Sequence, residues 1–229
     1  MDAAEVDAFR SRVGAQMTEL LKGFPAKVAE LEALLEDPVF AVGPEELRAP
    51  LDIPLPDPAQ KKKKKEKDEE EEAPPPISAP CPPIPSHPAL LALLERWRPL
   101  LAEARNHVAQ VALWLQLQVP RIEDGDNFGV AVQEKVLELL TASRTQLEGL
   151  QGRLPKYLSE RGRRRLQGGQ NPHVLDYRAL VHALDAAELG ATRLALAELR
   201  DLYAVLLDVL QKNMEKLRKP RGEPKAMIF

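Results

Sequence analysis

Pro120-Arg-Ile-Glu-Asp-Gly-Asp-Asn-Phe-Gly129 is a short polar stretch between two long segments of apolar periodicity. Pro120 removes a backbone donor and Gly125 permits positive φ, so the chain leaves one helix here and reverses direction. Asp124, Asp126 or Asn127 is placed to cap the next helix, because a side-chain oxygen accepts the orphan N–H groups of a first turn. Spacing alone reads the stretch as a capped turn between helices, a common connection in helical bundles.

Upstream of the turn, Leu90, Leu94, Trp97, Leu101, Val108, Val111 and Leu115 form one apolar face. They predict a helix from about His87–Ala89 to Val119, with Pro99 either bending it or marking its first turn. Its end, Val111-Ala-Leu-Trp-Leu-Gln-Leu-Gln-Val119, is apolar on more than one side, which predicts contact with a neighbouring subunit as well as with its own core. Downstream, Val132, Val136, Leu140, Leu147, Leu150, Leu154 and Leu158 predict an inward face on a helix from about Asn127 to Arg163, kinked at Pro155. Gly162 and Gly168-Gly-Gln-Asn-Pro172 read as the following turn, with the basic run Arg161-Gly-Arg-Arg-Arg165 complementing a helix C-terminus. The run lacks the interleaved aromatics of a nucleic-acid site, and no nucleic-acid partner is expected.

Farther out, Val6, Phe9, Val13, Met17, Leu20, Phe24, Leu31 and Leu35 give an amphipathic helix from Ala3 to Glu36, with a kink expected at Pro25. A last helix from about His173 to Leu217 is carried by Tyr177, Leu180, Val181, Leu184, Ala191, Leu194, Leu202, Val205, Leu206, Val209 and Leu210. Pro220, Gly222 and Pro224 stop it. The remainder ends in Lys225-Ala-Met-Ile-Phe229, which by itself reads as a frayed terminus.

Between the first two helices, residues 37–88 are rich in proline and charge. Ala49 to Pro58 favours extended, polyproline-like backbone. Lys61-Lys-Lys-Lys-Lys-Glu-Lys-Asp-Glu-Glu-Glu-Glu72 cannot bury enough apolar area to offset ordering its backbone, so disorder is expected. Lys61 to Lys65 could serve as a localisation signal or bind an acidic partner, but a solvated charged loop is the favoured reading.

The whole is predicted to be all-α: an elongated antiparallel four-helix bundle, with residues 1–36 as its first helix, a largely disordered linker over 37–88, helices two to four over 89–217 and a flexible tail over 218–229. With 44% hydrophobic and 29% charged residues, the composition is that of a globular chain, and a net charge of −3 gives no general reason to bind nucleic acid or membrane. No uninterrupted apolar run approaches the roughly 18 residues that cross a bilayer. The single Cys81 cannot form an intrachain disulfide, and Met1-Asp-Ala-Ala-Glu lacks a basic region followed by an apolar core. A cytoplasmic or nuclear location is expected. His87, His107, His173 and His182 lack metal-ligand spacing, Cys81 has no neighbouring base, and Glu123 with Asp124 reads as an exposed solvated pair. Neither catalysis, metal nor cofactor is expected.

The turn and its flanks, Trp114-Leu-Gln-Leu-Gln-Val-Pro-Arg-Ile-Glu-Asp-Gly-Asp-Asn-Phe-Gly-Val-Ala-Val-Gln-Glu-Lys135, resemble the eleven-S regulators (REG) that activate the proteasome, most closely the alpha-subunit type. Ala49-Pro-Leu-Asp-Ile-Pro-Leu-Pro-Asp-Pro58, Pro172-His-Val-Leu-Asp-Tyr-Arg-Ala-Leu-Val-His182 and Lys219-Pro-Arg-Gly-Glu-Pro-Lys-Ala-Met-Ile-Phe229 agree in the same order, so the resemblance covers most of the chain. It implies a seven-membered ring, of this chain alone or with sister subunits, docked on the outer ring of the 20S proteasome core. It also implies an activation loop made of Arg121, Ile122, Glu123, Asp124, Gly125, Asp126, Asn127, Phe128 and Gly129, and a docking tail made of Lys225, Ala226, Met227, Ile228 and Phe229. The tail would confer affinity and the loop would open the gate, raising peptide hydrolysis by the core. The alternative is an oligomeric helical scaffold with no gate to open.

Two departures from the family pattern stand out. Asp126 occupies the place of an expected asparagine, adding a charge and losing an amide donor. Phe229 replaces a common terminal tyrosine and loses only a hydroxyl. Short connections between helices two, three and four place loop and tail at one end of the molecule.

Overall fold

A computed structural model of the chain describes residues 2–41 and 86–222. Among them are six helices and no strand: α1 (Ala3–Glu36), α2 (Pro38–Ala41), α3 (Pro88–Gln118), α4 (Phe128–Gln151), α5 (Arg153–Gln170) and α6 (Leu175–Arg218). The all-α bundle predicted from periodicity is therefore what the chain forms. The polyproline-like stretch, the charged insert and the tail Lys225–Phe229 lie outside the described residues, and with them the expectation of disorder.

Contacts divide the described residues into two compact units, one over 2–36, 97–151 and 194–222, the other over 37–41, 86–96 and 152–193. In the first unit, α1 begins with a capping box in which the Asp2 and Glu5 amides each donate to the other residue's carboxylate at 2.8 Å. Val13, Met17, Phe24 and Leu31 are its buried stripe. The helix is continuous through the exposed Pro25, on the solvent side where water can serve the carbonyl that proline leaves without a donor. Antiparallel packing shows in the contact order. Lys27 Nζ meets Glu103 at 2.9 Å and Arg10 Nε donates to the Leu117 carbonyl at 3.1 Å, so rising numbers on α1 meet falling numbers on α3. On the facing pair, Gln146 meets Glu198 and Gln133 meets Leu217, which runs α4 against α6.

In the second unit, Phe40 of α2 is fully buried under Arg96, whose guanidinium carbon lies 5.7 Å from the ring centroid and whose Nη1 meets Asp37 at 2.9 Å. This short helix falls where the apolar periodicity stops and was not expected. The helix α3 begins at Pro88 and passes continuously through Pro99, so the first-turn reading of that proline is corrected.

The expected third helix, Asn127 to Arg163, is corrected to two. The break falls at Gly152, and Pro155 is the third residue of α5. A first-turn residue has no intrahelical partner for its N–H, so proline costs little there, whereas a continuous helix would need Pro155 to donate to Gln151. Beyond it α5 runs on to Gln170, through Gly162 and Gly168, and the turn comes only over Asn171–Val174, with the Val174 amide donating to the Asn171 carbonyl at 3.0 Å. The basic run thus sits inside a helix and not at its end. Tyr157, Arg161, Arg165 and Gly168 form the buried face, while Leu158, predicted to face inward, is 41% exposed. Similarly, Leu180, Leu194 and Val205 of the predicted α6 face are exposed, and Leu189, Leu196, Leu199, Tyr203 and Leu217 are buried with Val181, Leu206 and Leu210.

Candidate functional site

The α3–α4 connection follows from its residues. Pro120 cannot continue the hydrogen-bond ladder, and α3 closes at Gln118 with the Val119 amide donating back to the Gln116 carbonyl at 3.3 Å. Gly125 and Asp126 then take positive φ, 85° and 43°. Glycine adopts this region freely, and aspartate is among the few L-residues that tolerate it, its side chain bonding nearby backbone. All side chains from Arg121 to Phe128 are exposed, including Ile122 and Phe128, and only Gly129 is buried.

Such an exposed loop has no core to hold it. What holds it is the chain just after α6. Arg221 Nη1 donates to the Arg121 carbonyl at 2.8 Å and to Glu123 Oε2 at 3.2 Å, and Nη2 donates to Asn127 Oδ1 at 3.0 Å. The Gly222 amide donates to Asp126 Oδ2 at 2.8 Å. Glu123 also pairs with Arg121, so its carboxylate lies between two guanidinium groups. Pro220 presses its backbone on Gly129 so closely that a Cβ there would lie 1.9 Å from the Pro220 carbonyl oxygen, which is why only glycine fits.

Capping differs from the expectation. Asn127 precedes α4 and its carbonyl accepts from the Ala131 amide at 2.9 Å, but its side chain is engaged by Arg221 and by the Glu123 carbonyl. The Asp126 carboxylate likewise reaches Gly222 instead of the first turn of α4. The departure at Asp126 therefore supplies an anionic acceptor to the root of the tail. An asparagine could accept there too, without the charge.

Gln133, fully buried on α4, completes the site from beneath. Its Nε2 donates to the carbonyls of Gln118 at 3.2 Å and Leu217 at 2.8 Å, serving orphan acceptors in the last turns of both α3 and α6. One side chain thus fastens the ends of two helices together. Sequence reasoning missed both Gln133 and Arg221. For Gln133 a signal existed, since Gly129, Gln133, Val136, Leu140, Ser143 and Leu147 follow one helical stripe. Arg221 carried no signal beyond its place between Pro220 and Gly222.

Beside the loop, Phe128, Val132, Val136, Leu139 and Val209 line most of an open apolar groove of about 380 Å³, with Lys135 and Asn213 among its polar residues. Among the described residues no group of three or more His, Cys, Asp or Glu side chains is placed to hold a metal, and no helix is long and apolar enough to cross a membrane. The structure thus brings the nine loop residues together with Pro220, Arg221 and Gly222. Lys225, Ala226, Met227, Ile228 and Phe229 lie beyond the described residues.

Residues 1–58 match the family model described as Proteasome activator PA28, N-terminal, and residues 83–227 match Proteasome activator PA28, C-terminal. Proteasome activator complex subunit 2 of Mus musculus is 40% identical over 227 residues, 98% of this chain and 94% of the relative. Subunit 3 of the Homo sapiens complex is 30% identical over 241 aligned positions, 98% of this chain and 95% of the relative. Among solved structures, the 11S subunit of the Plasmodium falciparum proteasome, PA28, superposes with a TM-score of 0.78 at 26% identity, over 95% of this chain and 94% of that one. With both halves of the chain matched and curated relatives aligned almost end to end, the chain belongs to the PA28, or 11S regulator, family of proteasome activators.

Proposed function

We propose that this chain is a ring-forming, non-ATPase activator subunit of the 20S proteasome. Family membership supports the partner: relatives are described as subunits of the proteasome activator complex, and the Plasmodium falciparum neighbour as the 11S subunit of its proteasome. The observation that carries the mechanism is the joining of the Arg121–Gly129 loop to the root of the C-terminal tail by Arg221 and Gly222.

In this reading the tail Lys225–Phe229 docks between outer-ring subunits of the core. The Phe229 carboxylate takes charge-assisted hydrogen bonds while Met227 and Ile228 fill apolar surface. One tail of this size binds weakly, and a heptamer, of this chain alone or with sister subunits, binds through several tails because each engagement raises the effective concentration of the next. Docking alone opens nothing, since a ligand indifferent to the open and closed states shifts neither. The loop supplies the difference by pressing on the part of the core that holds the gate shut. The chain itself makes and breaks no bond, and the gain is in passage of peptides. Work on a cytoplasmic or nuclear core particle fits this role.

The test mixes purified chain with latent core proteasome and a fluorogenic peptide. Hydrolysis should rise with chain concentration, and deletion of Ala226–Phe229 should abolish the rise while the ring still assembles. A plain helical scaffold would leave the rate unchanged in both samples.

A further inference from the structure

We propose that Arg221 is the positioning residue of the activation loop, a clamp that presets the loop's shape from the root of the tail. The inference rests on the activator reading above.

The loop has little of its own to define it. Within Arg121–Phe128 the side-chain ties are one ion pair, Arg121 with Glu123, and one long hydrogen bond, Asn127 Nδ2 to the Glu123 carbonyl at 3.4 Å. Every residue from Arg121 to Phe128 is exposed, and two successive residues hold left-handed φ. Left to itself such a segment would sample many shapes, because neither burial nor a backbone ladder opposes its conformational entropy.

Arg221 answers this from outside. Its two terminal nitrogens reach acceptors on the first, third and seventh residues of the loop, Arg121, Glu123 and Asn127. One planar group thereby fixes the spacing of the loop's two ends. Its side chain is only 17% exposed while its acceptors sit on the exposed loop, and the Glu123 bond is charge-assisted on both sides. The neighbours keep Arg221 in register: Pro220 lies against Gly129 with no room for a Cβ, and the Gly222 amide is bound to Asp126. Lysine could not do the same, because its three N–H donors diverge from one nitrogen on a flexible stem and do not span three spaced acceptors in one plane.

A clamp of this kind acts on activation and leaves docking to residues farther along the tail. The experiment compares full-length wild type, R221A and R221K, first confirming by circular dichroism and sedimentation that each variant folds and assembles. Binding to the core proteasome and peptide hydrolysis at saturating activator are then measured, and amide hydrogen exchange is followed over residues 119–128. R221A should bind within about twofold of wild type while maximal stimulation falls roughly tenfold, since the competent loop shape loses its charge-assisted bonds. Loop exchange should quicken, and R221K should fall between the two. If R221A fails to fold, R221K carries the same comparison with a smaller loss. Stimulation by R221A equal to wild type overturns the clamp, as does a parallel loss of binding and stimulation. A wild-type chain that binds no core or leaves its rate unchanged overturns the activator reading itself, and this inference with it.

Discussion

Asp185 is completely buried, and its carboxylate is occupied on both oxygens. Tyr157 donates to Oδ1 at 2.7 Å, and Arg161 forks onto Oδ1 and Oδ2 at 2.6 and 2.9 Å. Arg165 lies one helical turn farther along α5, its pKa pushed down to about 10, first by burial and then by the Arg161 charge. Burial, with the bond to Asp185, raises the Tyr157 phenol above its ordinary range, which favours its role as the donor. A single aspartate thus compensates a buried arginine and faces a second. Removing one member of a buried pair costs about 3–5 kcal/mol, because the survivor is left charged and dry. Urea denaturation of Asp185→Ala should show a loss in that range, and the double variant R161L/D185L should lose much less. A D185A loss no greater than that of an exposed pair, about 1 kcal/mol or less, would show that water already reaches the site. Here the sequence misled. A run of four arginines within Arg161–Arg165 reads as a surface feature, yet Tyr157, Arg161 and Arg165 recur at one helical spacing, and Asp185 sits on the opposing helix at a place no local pattern announces.

Three helices meet at His107. Its Nδ1 lies 2.8 Å from the Tyr203 hydroxyl, its ring is 6.2 Å from Phe24 and 5.9 Å from Tyr203, and Phe24 and Tyr203 meet edge-on at 5.0 Å. These contacts tie α1, α3 and α6. Around the imidazole stand Glu103, on the same helix at 3.9 Å, and Lys27, across from it and bonded to Glu103. Burial lowers the His107 pKa, Glu103 opposes that, and Lys27 reinforces it. The folded state therefore binds the proton less readily than the unfolded state. Stability from His107 is fully present above the unfolded value of about 6.5 and is lost as pH falls from there through the lower folded value. Between pH 8 and pH 5 the Tm of the wild type should drop more steeply than that of His107→Gln, and parallel curves would deny the imidazole this role. The helices themselves were readable. Ala3–Glu36 was legible to the residue because its stripe is purely apolar and its ends carry Asp2 and Pro38, and Pro88–Gln118 was legible for similar reasons. The α4–α5 break was not, because Leu147, Leu150, Leu154 and Leu158 continue an apolar count across Gly152 while the buried side chains change to Tyr157 and Arg161. The loop's position was legible from Pro120 and Gly125. Its fastening was not, since Arg221 is about a hundred residues away in sequence.

At the scale of the whole molecule, the proposed activation is the work of a ring, and the first unit leaves apolar surface on which a second chain would sit. The apolar groove of Leu139, Val209 and their neighbours lies open to solvent beside the loop, and Val205, four residues before Val209, is 47% exposed. Leu113 and Val119, each 39% exposed, lie at the end of α3, where an apolar count on more than one side pointed to a neighbouring subunit. Apolar surface left over after a bundle has buried its own core is the usual mark of an oligomer interface. If the groove receives the adjacent subunit of a ring, Leu139→Glu places a charge in that contact while changing no residue of the loop or tail and no fully buried position. Sedimentation should then show monomer in place of ring, with helix content and the loop's exchange pattern unchanged. Stimulation of the core should vanish as well, although every residue of loop and tail is intact, because a lone tail forfeits the avidity gain, on the order of 10²–10⁴-fold, that linked tails enjoy. This result would separate the two requirements, since the tail deletion keeps the ring and loses docking, whereas L139E keeps the tail and loses the ring. A ring that survives L139E would move the subunit contact to another face.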